Sequence, residues 1–591
     1  MLLTGKDIIM QKIGIGYENY KRIIDDDCYY VDKTLFIRDI IKNGGMVNLF
    51  TRPRRFGKTL ALSMLRTFFE FEYDFDGNVI DKNHYFTDKK IMQCDESILS
   101  KMGKYPVITL SLKSGKKDDF RNAFLKLRED IIGEYDRHSY LAKSPMLDDK
   151  DKEIFLKILN GEVIWDEIEK NISDQEELKN ALTAEVGKYS TSLKTLSRLL
   201  KKHHKTNVII LLDEYDVPLE NAYYCGFYKE MTDFIRSLFE SALKTNDALE
   251  LAVVTGCLRI SKESIFTGLN NFAVNSIRST DFGEYFGFTP AETLDMLKSY
   301  DLQDNVQNVK EWYDGYLFGE CEVYNPWSVT HYIHEHINAP TRLAEPYWSN
   351  TSSNSIIKDM IRDADDTARE ELDILINGGT IEKRIHEDIT YDDIHAEADN
   401  LWNFLFFTGY LRKVSERKDG RDIYLTLRIP NEEVASIYEH QLRLWFENTV
   451  KETDLKDFHK AVLNKDTDKM EDFLCDLLEK SISTFDSSES FYHGLMLSLL
   501  YGVPRYAPKS NRETGDGRAD IVLYPNRRND PAYIFEFKVR KKFNEMEDGL
   551  KDALTQIKDR RYEEGVIEDG YIGSVSYGIC FCKKSCIVAL L

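Results

Sequence analysis

The sequence predicts a multidomain α/β chain: a parallel sheet with a helical insertion, a helical and winged-helix-like middle, and a smaller α/β domain at the end. Three observations predict it. At 591 residues the chain is longer than one hydrophobic core can serve. Four near-continuous runs of Val, Ile and Leu, namely MVNLF (46–50), PVITLSL (106–112), NVIILLD (207–213) and LELAVVT (249–255), are separated by long helical stretches. Parallel strands buried on both faces read this way. The C-terminal stretch then returns to short strands.

The elements follow in order. YYVDKTLFIRDIIKNGG (29–45) reads as a short extended piece and a helix stopped by Gly44-Gly45. The first apolar run leads through a loop at 51–57 into the helical pattern 60–70. Residues from about 117 to 205 are mostly charged amphipathic helix, an insertion packed beside the sheet. From about 280 to 370 the pattern is helical, interrupted by DGYLFG and YNPWSV. ADNLWNFLFFTGYL (398–411) precedes a hairpin, RKVSERKDGRDIYLTLRIPN, with Lys418-Asp419-Gly420 as its turn. A helix followed by a two-stranded wing suggests the winged-helix-like module. Helices fill 431–500. The expected domains are 1–279, 280–450 and 451–591.

Composition narrows the function. A formal net charge of -22 excludes a protein coated in basic surface, while leaving room for a local basic groove. The opening MLLTGKDIIMQKIG carries Lys6 and Asp7 where a signal peptide needs an apolar run, and no stretch is long enough to span a membrane. Nine cysteines without paired spacing fit reduced thiols in the cytoplasm. Cys580, Cys582 and Cys586 lack the spacing of a zinc site.

Two constellations carry chemistry. The first is RPRRFGKT, Arg52 to Thr59, which ends like the phosphate-binding loop G-x-x-x-x-G-K-[ST] but opens on Arg52. A phosphate cradle needs backbone N–H groups at a helix N-terminus, here from Arg55, Phe56 and Gly57. It also needs a lysine for the terminal phosphates of ATP, Lys58, and a hydroxyl for Mg²⁺, Thr59. Asp213 closes an apolar strand, where it can hold Mg²⁺ through water, and Glu214 follows to orient or activate the attacking water. Thr255, ending LAVVT, is placed to sense the γ-phosphate. Arg54, Arg55 and Arg259 are further candidates for phosphate contact. The competing reading is an ordinary strand with a charged, exposed end.

The second constellation is GDGRADIVLYPNRRNDPAYIFEFKV (515–539), two strand-like runs about a Pro/Asn/Asp-rich loop. A hairpin symmetric about Arg528 sets Tyr524 opposite Ala532, Val522 opposite Ile534, and Asp520 opposite Glu536. Carboxylates about 4.5–5.5 Å apart at Cβ can share one Mg²⁺. Alternation puts Lys538 on the face of Glu536, where it can orient a metal-bound water, and turns Phe535, Phe537 and Val539 to the apolar side. The competing reading is a solvated polar face, yet facing like charges destabilise a hairpin unless a cation lies between them. Local charge agrees with a nucleic-acid partner: Tyr492 to Lys542 carries ten Lys and Arg against five Asp and Glu.

YYVDKT (29–34), RPRRFGKT (52–59), LLDEYD (211–216), the VTG…F–GLNN stretch (254–271) and GY–FG…VYNPWSV (315–329) resemble a bacterial family over nearly the whole chain. Its members join an AAA-like ATPase domain to a C-terminal PD-(D/E)XK nuclease-like domain of restriction-endonuclease-like fold. The resemblance implies that Arg52 is the family's form of the loop. It matches Glu489 to an acidic residue that completes the metal site, with His493 one turn on, and Gln556 to a polar position after the E-x-K strand. AAA-like domains often assemble into rings and borrow a neighbour's arginine. No such finger is identifiable here, so a homo-oligomer is an open expectation. The cofactors expected are ATP and Mg²⁺, with Mn²⁺ as an alternative at the nuclease site, and the partner is nucleic acid, DNA foremost. Three functions stay open: an ATPase coupled to Mg²⁺-dependent cleavage, serving defence or mobile-element biology; a nucleotide-switched binding protein with an inactive nuclease fold; and an ATP-dependent winged-helix DNA-binding regulator.

Overall fold

The computed structural model describes residues 10–73, 79–161, 174–258, 265, 271–348, 357, 366–376, 378–385, 398–438, 440–441, 455–479, 489–514 and 517–591. The chain divides into two compact units, Met1–Ser352 with Glu382–Val434, and Ser353–Ile381 with Ala435–Leu591.

The first unit is built on five parallel strands, β1 (Val47–Thr51), β2 (Val107–Ser111), β3 (Val208–Asp213), β4 (Leu249–Gly256) and β5 (Phe272–Asn275). They lie in the order β2-β3-β4-β1-β5. The four apolar runs form the first four strands. Every residue of β1 and β3 is buried, as continuous apolar runs require. β5 was not anticipated, because four residues, FAVN, are too short to show a period. β4 separates β1 from β3, so the end of β4 sits between the loop that follows β1 and the acid that closes β3.

The insertion is helical at Phe120–Arg137, Asp149–Leu159, Gln175–Ser190 and Ser192–His204. Its first helix is tied to the sheet, where the buried Glu134 accepts from the Thr109 N–H at 2.8 Å, and to its last helix, where Tyr135 donates its hydroxyl to Ser192 O at 2.7 Å. Downstream, the helix Pro290–Ser299 opens with a Thr289–Glu292 capping box. The hairpin β6 (Tyr316–Phe318) and β7 (Cys321–Val323) leads to the helix Pro326–His336. A three-stranded sheet follows, β8 (Ile381–Arg384), β9 (Arg412–Asp419) and β10 (Asp422–Arg428), in the order β8-β10-β9. Its hairpin turn is Gly420-Arg421 rather than Lys418-Asp419-Gly420: Asp419 pairs with Asp422, and Gly420 takes φ 58°. Positive φ at the first turn position is what glycine provides. The helix Ala398–Thr408 buries Trp402, Leu405, Phe406 and Phe407 and so packs as a core helix.

The second unit is a mixed sheet of β11 (Tyr506–Thr514), β12 (Gly517–Pro525), β13 (Ala532–Val539), β14 (Ser574–Cys582) and β15 (Ser585–Leu590) in chain order. Only β13–β14 is parallel, and the helix Met546–Asp559 makes that crossover. One face packs Phe535, Phe537, Tyr577 and Phe581 against the helices Lys456–Asn464, Thr467–Glu479 and Glu489–Leu500. The other packs Val522 and Ile534 under Ile557, Tyr562 and Val566. The cysteines divide accordingly. Cys580 and Cys582 meet Met546 on the second face, while Cys586, paired with Phe581, belongs to the first. Among the described residues no group of three or more His, Cys, Asp and Glu is placed to hold a metal. The chain is thus α/β, with a five-stranded parallel sheet in the first unit and a five-stranded mixed sheet in the second.

Candidate nucleotide and metal centres

The loop after β1 begins with a buried cation. Arg52 donates its N–H to Gly256 O at 3.0 Å, and its guanidinium reaches Thr51 O and Asn275 O at 2.9 and 2.7 Å. The same group lies 5.2 and 5.1 Å from the Phe286 and Phe318 ring centres. Burial lowers its pKa to about 9, so it stays charged at neutral pH. In place of an opening glycine, Arg52 ties the loop to β5 and to two downstream aromatics. Pro53 packs on Gly409, where a Cβ would come within 2.8 Å. Arg54 pairs with Glu220, and Arg55 stacks over Trp327 at 4.1 Å. Phe56 is buried against Tyr316 and Phe318. Gly57, at φ 80°, caps the helix Lys58–Phe69, a conformation that side chains resist. With those side chains engaged elsewhere, residues 55–57 have backbone N–H groups to offer an anion.

Lys58 is buried, its ammonium donating to Arg52 O and Pro53 O at 2.8 Å each and lying 3.7 Å from Cys257 Sγ. Asp213 is the hub. Its Oδ2 accepts the Thr59 hydroxyl at 2.6 Å; its Oδ1 accepts the Thr255 hydroxyl and, at 3.0 Å, the Glu214 N–H. Lys58, Thr59, Asp213, Glu214 and Thr255 therefore converge at the C-terminal ends of β1, β3 and β4. Burial first, and then the Asp213 charge, push the Glu214 carboxyl upward, toward a better proton acceptor. Sequence reading missed Asp216, whose carboxylate accepts the Cys257 and Leu258 N–H groups at 2.6 and 3.1 Å. It also missed Trp327 and Glu220, which hold the loop arginines. Arg259 lies outside the described residues.

In the second unit the ladder pairs Ile521 with Phe535, Val522 with Ile534 and Leu523 with Tyr533, the register of a hairpin symmetric about Arg528. One step further, Asp520 Oδ2 accepts the Phe537 N–H at 2.7 Å. Glu536 is almost fully buried, because the helix Met546–Asp559 roofs its face. Lys538 donates to Glu536 Oε1 at 3.1 Å and to Phe537 O at 3.1 Å. Glu536 Oε2 is buried and finds no hydrogen-bond partner among the described residues. Burial, then the Asp520 charge, raise the Glu536 carboxyl to about 7, with Lys538 opposing. His493 Nε2 is 2.9 Å from Asp520 O and fixes that strand to the helix Glu489–Leu500. The Glu489 side chain lies outside those described. Gln556 donates to the Tyr562 hydroxyl at 3.3 Å, and the two carboxylates act on that phenol, a neighbour not foreseen. Arg505, Lys509, Arg527, Arg528, Lys541 and Lys542 are exposed, while Arg540 pairs with Asp552.

Residues 14–266 match the family model described as Predicted AAA-ATPase, and residues 487–590 match that of the PD-(D/E)XK nuclease superfamily. The chain joins an AAA-ATPase-like region to a PD-(D/E)XK nuclease-superfamily region. It is 25% identical over 583 residues to an uncharacterized protein in the vnfD 5′ region of Azotobacter chroococcum mcd 1, covering 94% of this chain and 93% of that protein. Among solved structures it is similar to the Walker-type ATPase PABY2304 of Pyrococcus abyssi, at 14% identity, over 69% of this chain and 94% of that one, with a TM-score of 0.35. The AAA-ATPase-like match contains the hub at Asp213, and the nuclease-superfamily match contains Asp520, Glu536 and Lys538. Regions of these two kinds use a nucleotide and a divalent metal. No helix among the described residues is long and apolar enough to cross a membrane.

Proposed function

We propose that the chain binds ATP with Mg²⁺ and couples its hydrolysis to metal-dependent phosphodiester cleavage of nucleic acid, DNA foremost. The observation that carries the proposal is Glu536. A buried carboxylate oxygen with no donor among the described residues, beside a second carboxylate, is a costly arrangement that a divalent cation relieves. Asp520 and Glu536 would hold Mg²⁺ or Mn²⁺, and Glu489, matched only by resemblance, would complete the set. The metal supplies Lewis acidity and a more acidic bound water. Lys538, already on Glu536, would orient the attacking water and offset charge on the attacked phosphate.

At the other centre Lys58 would turn from the loop carbonyls to the β- and γ-phosphates, and the N–H groups of Arg55, Phe56 and Gly57 would cradle them. Thr59 and Asp213 would share the Mg²⁺, Glu214 would take a proton from the attacking water, and Thr255 would report the γ-phosphate through Asp213. The exposed lysines and arginines of the second unit supply the phosphate-backbone contacts.

The experiment is cleavage of labelled DNA and RNA, single- and double-stranded, with and without ATP and Mg²⁺. Support is cleavage that EDTA abolishes and that Asp520→Asn, Glu536→Gln and Lys538→Ala all lose. Undiminished cleavage by Asp520→Asn overturns the metal site. ATP hydrolysis without cleavage of any substrate favours the nucleotide-switched binding protein. A cut near residue 450 tests coupling: equal rates for the C-terminal fragment and the whole chain, with and without ATP, remove it.

A further inference from the structure

Cys475, on the helix Thr467–Glu479, and Cys586, on β15, stand with their sulfurs 3.9 Å apart. They are distant in sequence, and neither has a role in the chemistry above. Their environments differ in a way that assigns them different parts. Cys475 is half-buried and receives the Cys586 N–H at 3.4 Å, whereas Cys586 is buried and its thiol also lies 3.9 Å from Glu471 O. Cys580 and Cys582 sit on the other face of the sheet and cannot compete.

We propose that Cys475 and Cys586 form a peroxide-sensitive dithiol that closes to a disulfide across the second unit. The Cys475 thiolate attacks a peroxide oxygen; an S–O bond forms, the O–O bond breaks, and hydroxide leaves to be protonated to water. The Cys586 sulfur then attacks the Cys475 sulfenic acid. An S–S bond forms, the S–O bond breaks, and a second water carries off the Cys586 proton. Two thiols are oxidised by two electrons and one peroxide is reduced to two waters. The hydrogen bonds from Cys586 favour a thiolate at Cys475, whose pKa falls to about 7, while that of Cys586 rises through the same contact and through burial. The bridge joins the C-terminal strand to a helix that precedes the whole metal-site hairpin, so Asp520, Glu536 and Lys538 lie inside the closed loop. A cross-link spanning that much chain restricts the unfolded state strongly.

The test treats the full-length chain, in EDTA, with hydrogen peroxide, then alkylates it under denaturing conditions and maps it without reductant. The expected result is a loss of two of the nine thiols, a Cys475–Cys586 peptide pair lighter than its parts by two hydrogens, and reversal by dithiothreitol. Thermal unfolding of the oxidised form should move up by several degrees. Cys475→Ser should leave Cys586 alkylatable and abolish the shift; Cys586→Ala, which adds no polar group to the core, should leave Cys475 to over-oxidise. Nine alkylatable thiols after treatment, a bridge to another cysteine, or Cys475 sulfinic acid beside a free Cys586 in the unmutated chain would each overturn the proposal. None of these readouts depends on nuclease activity.

Discussion

The two centres use the same kinds of side chain and stand in opposite conditions. At the nucleotide centre Asp213 receives two hydroxyl protons and a backbone N–H, and Lys58 donates to two loop carbonyls. At the candidate metal centre Glu536 shares one oxygen with Lys538 and keeps the other buried, with no donor among the described residues. A centre closed on its own hydrogen bonds must break them to admit a ligand, and so its ligand sets its geometry. A centre that retains an unrelieved carboxylate is held ready for a cation and costs stability until one arrives.

The sharpest way to break this comparison is Lys58→Ala. It removes two or more charge-assisted hydrogen bonds to phosphate, each worth about 1.5–3 kcal/mol, so ATP affinity by calorimetry should fall roughly 10³-fold. Metal binding at the second centre should be untouched; a parallel loss there would mean the two are one coupled site. Glu214→Gln should bind ATP as the parent does and hydrolyse it about 10²–10⁴-fold more slowly, since only the proton acceptor is gone. Unchanged turnover would assign the base elsewhere. Lys538→Ala should keep metal affinity and slow single-turnover cleavage by about 10²-fold, which separates positioning of water from holding the ion.

The smallest effect is the most specific. Glu536 has a folded pKa near 7, above its ordinary 4.5, so between those values the folded chain binds more protons than the unfolded one. Metal-free stability should therefore fall as pH rises from about 4.5 to 7, by no more than about 3 kcal/mol. Glu536→Gln should flatten that slope and raise the metal-free melting temperature at pH 8. Mg²⁺ should stabilise the parent increasingly as pH rises through 7 and the variant little. Melting curves that keep the same pH slope in both proteins would show that Glu536 is not the strained group.

Most of the parallel sheet was legible because burial on both faces leaves an uninterrupted apolar signature, as in NVIILLD and LELAVVT. FAVN at the edge escaped because four residues hold no period. The register around Asp520 and Glu536 was legible because a hairpin is local: its loop and its alternation are both written within 515–539. What places Trp327 on Arg55, Asp216 on the Cys257 and Leu258 amides, or Gly409 on Pro53 is tertiary, and no pattern in either segment names its partner. The turn at Gly420-Arg421 shows a finer limit. Glycine marked the bend, but which neighbours flanked it depended on pairing Asp419 with Asp422, and two facing aspartates count against that choice until Arg417 and Arg384, each brought in by the folded sheet, pair with them.

Gly256 has a mechanical consequence. A methyl group there would come within 2.5 Å of the Tyr215 ring. The segment that follows is already held by the Tyr215 hydroxyl on Leu258 O and by the Asp216 carboxylate on two amides. The end of β3 and the end of β4 are therefore welded into one plate, with no slack for a side chain between them. Under the proposed function, any displacement of Glu214 by a bound nucleotide would carry residues 256–258 with it as a lever of fixed length.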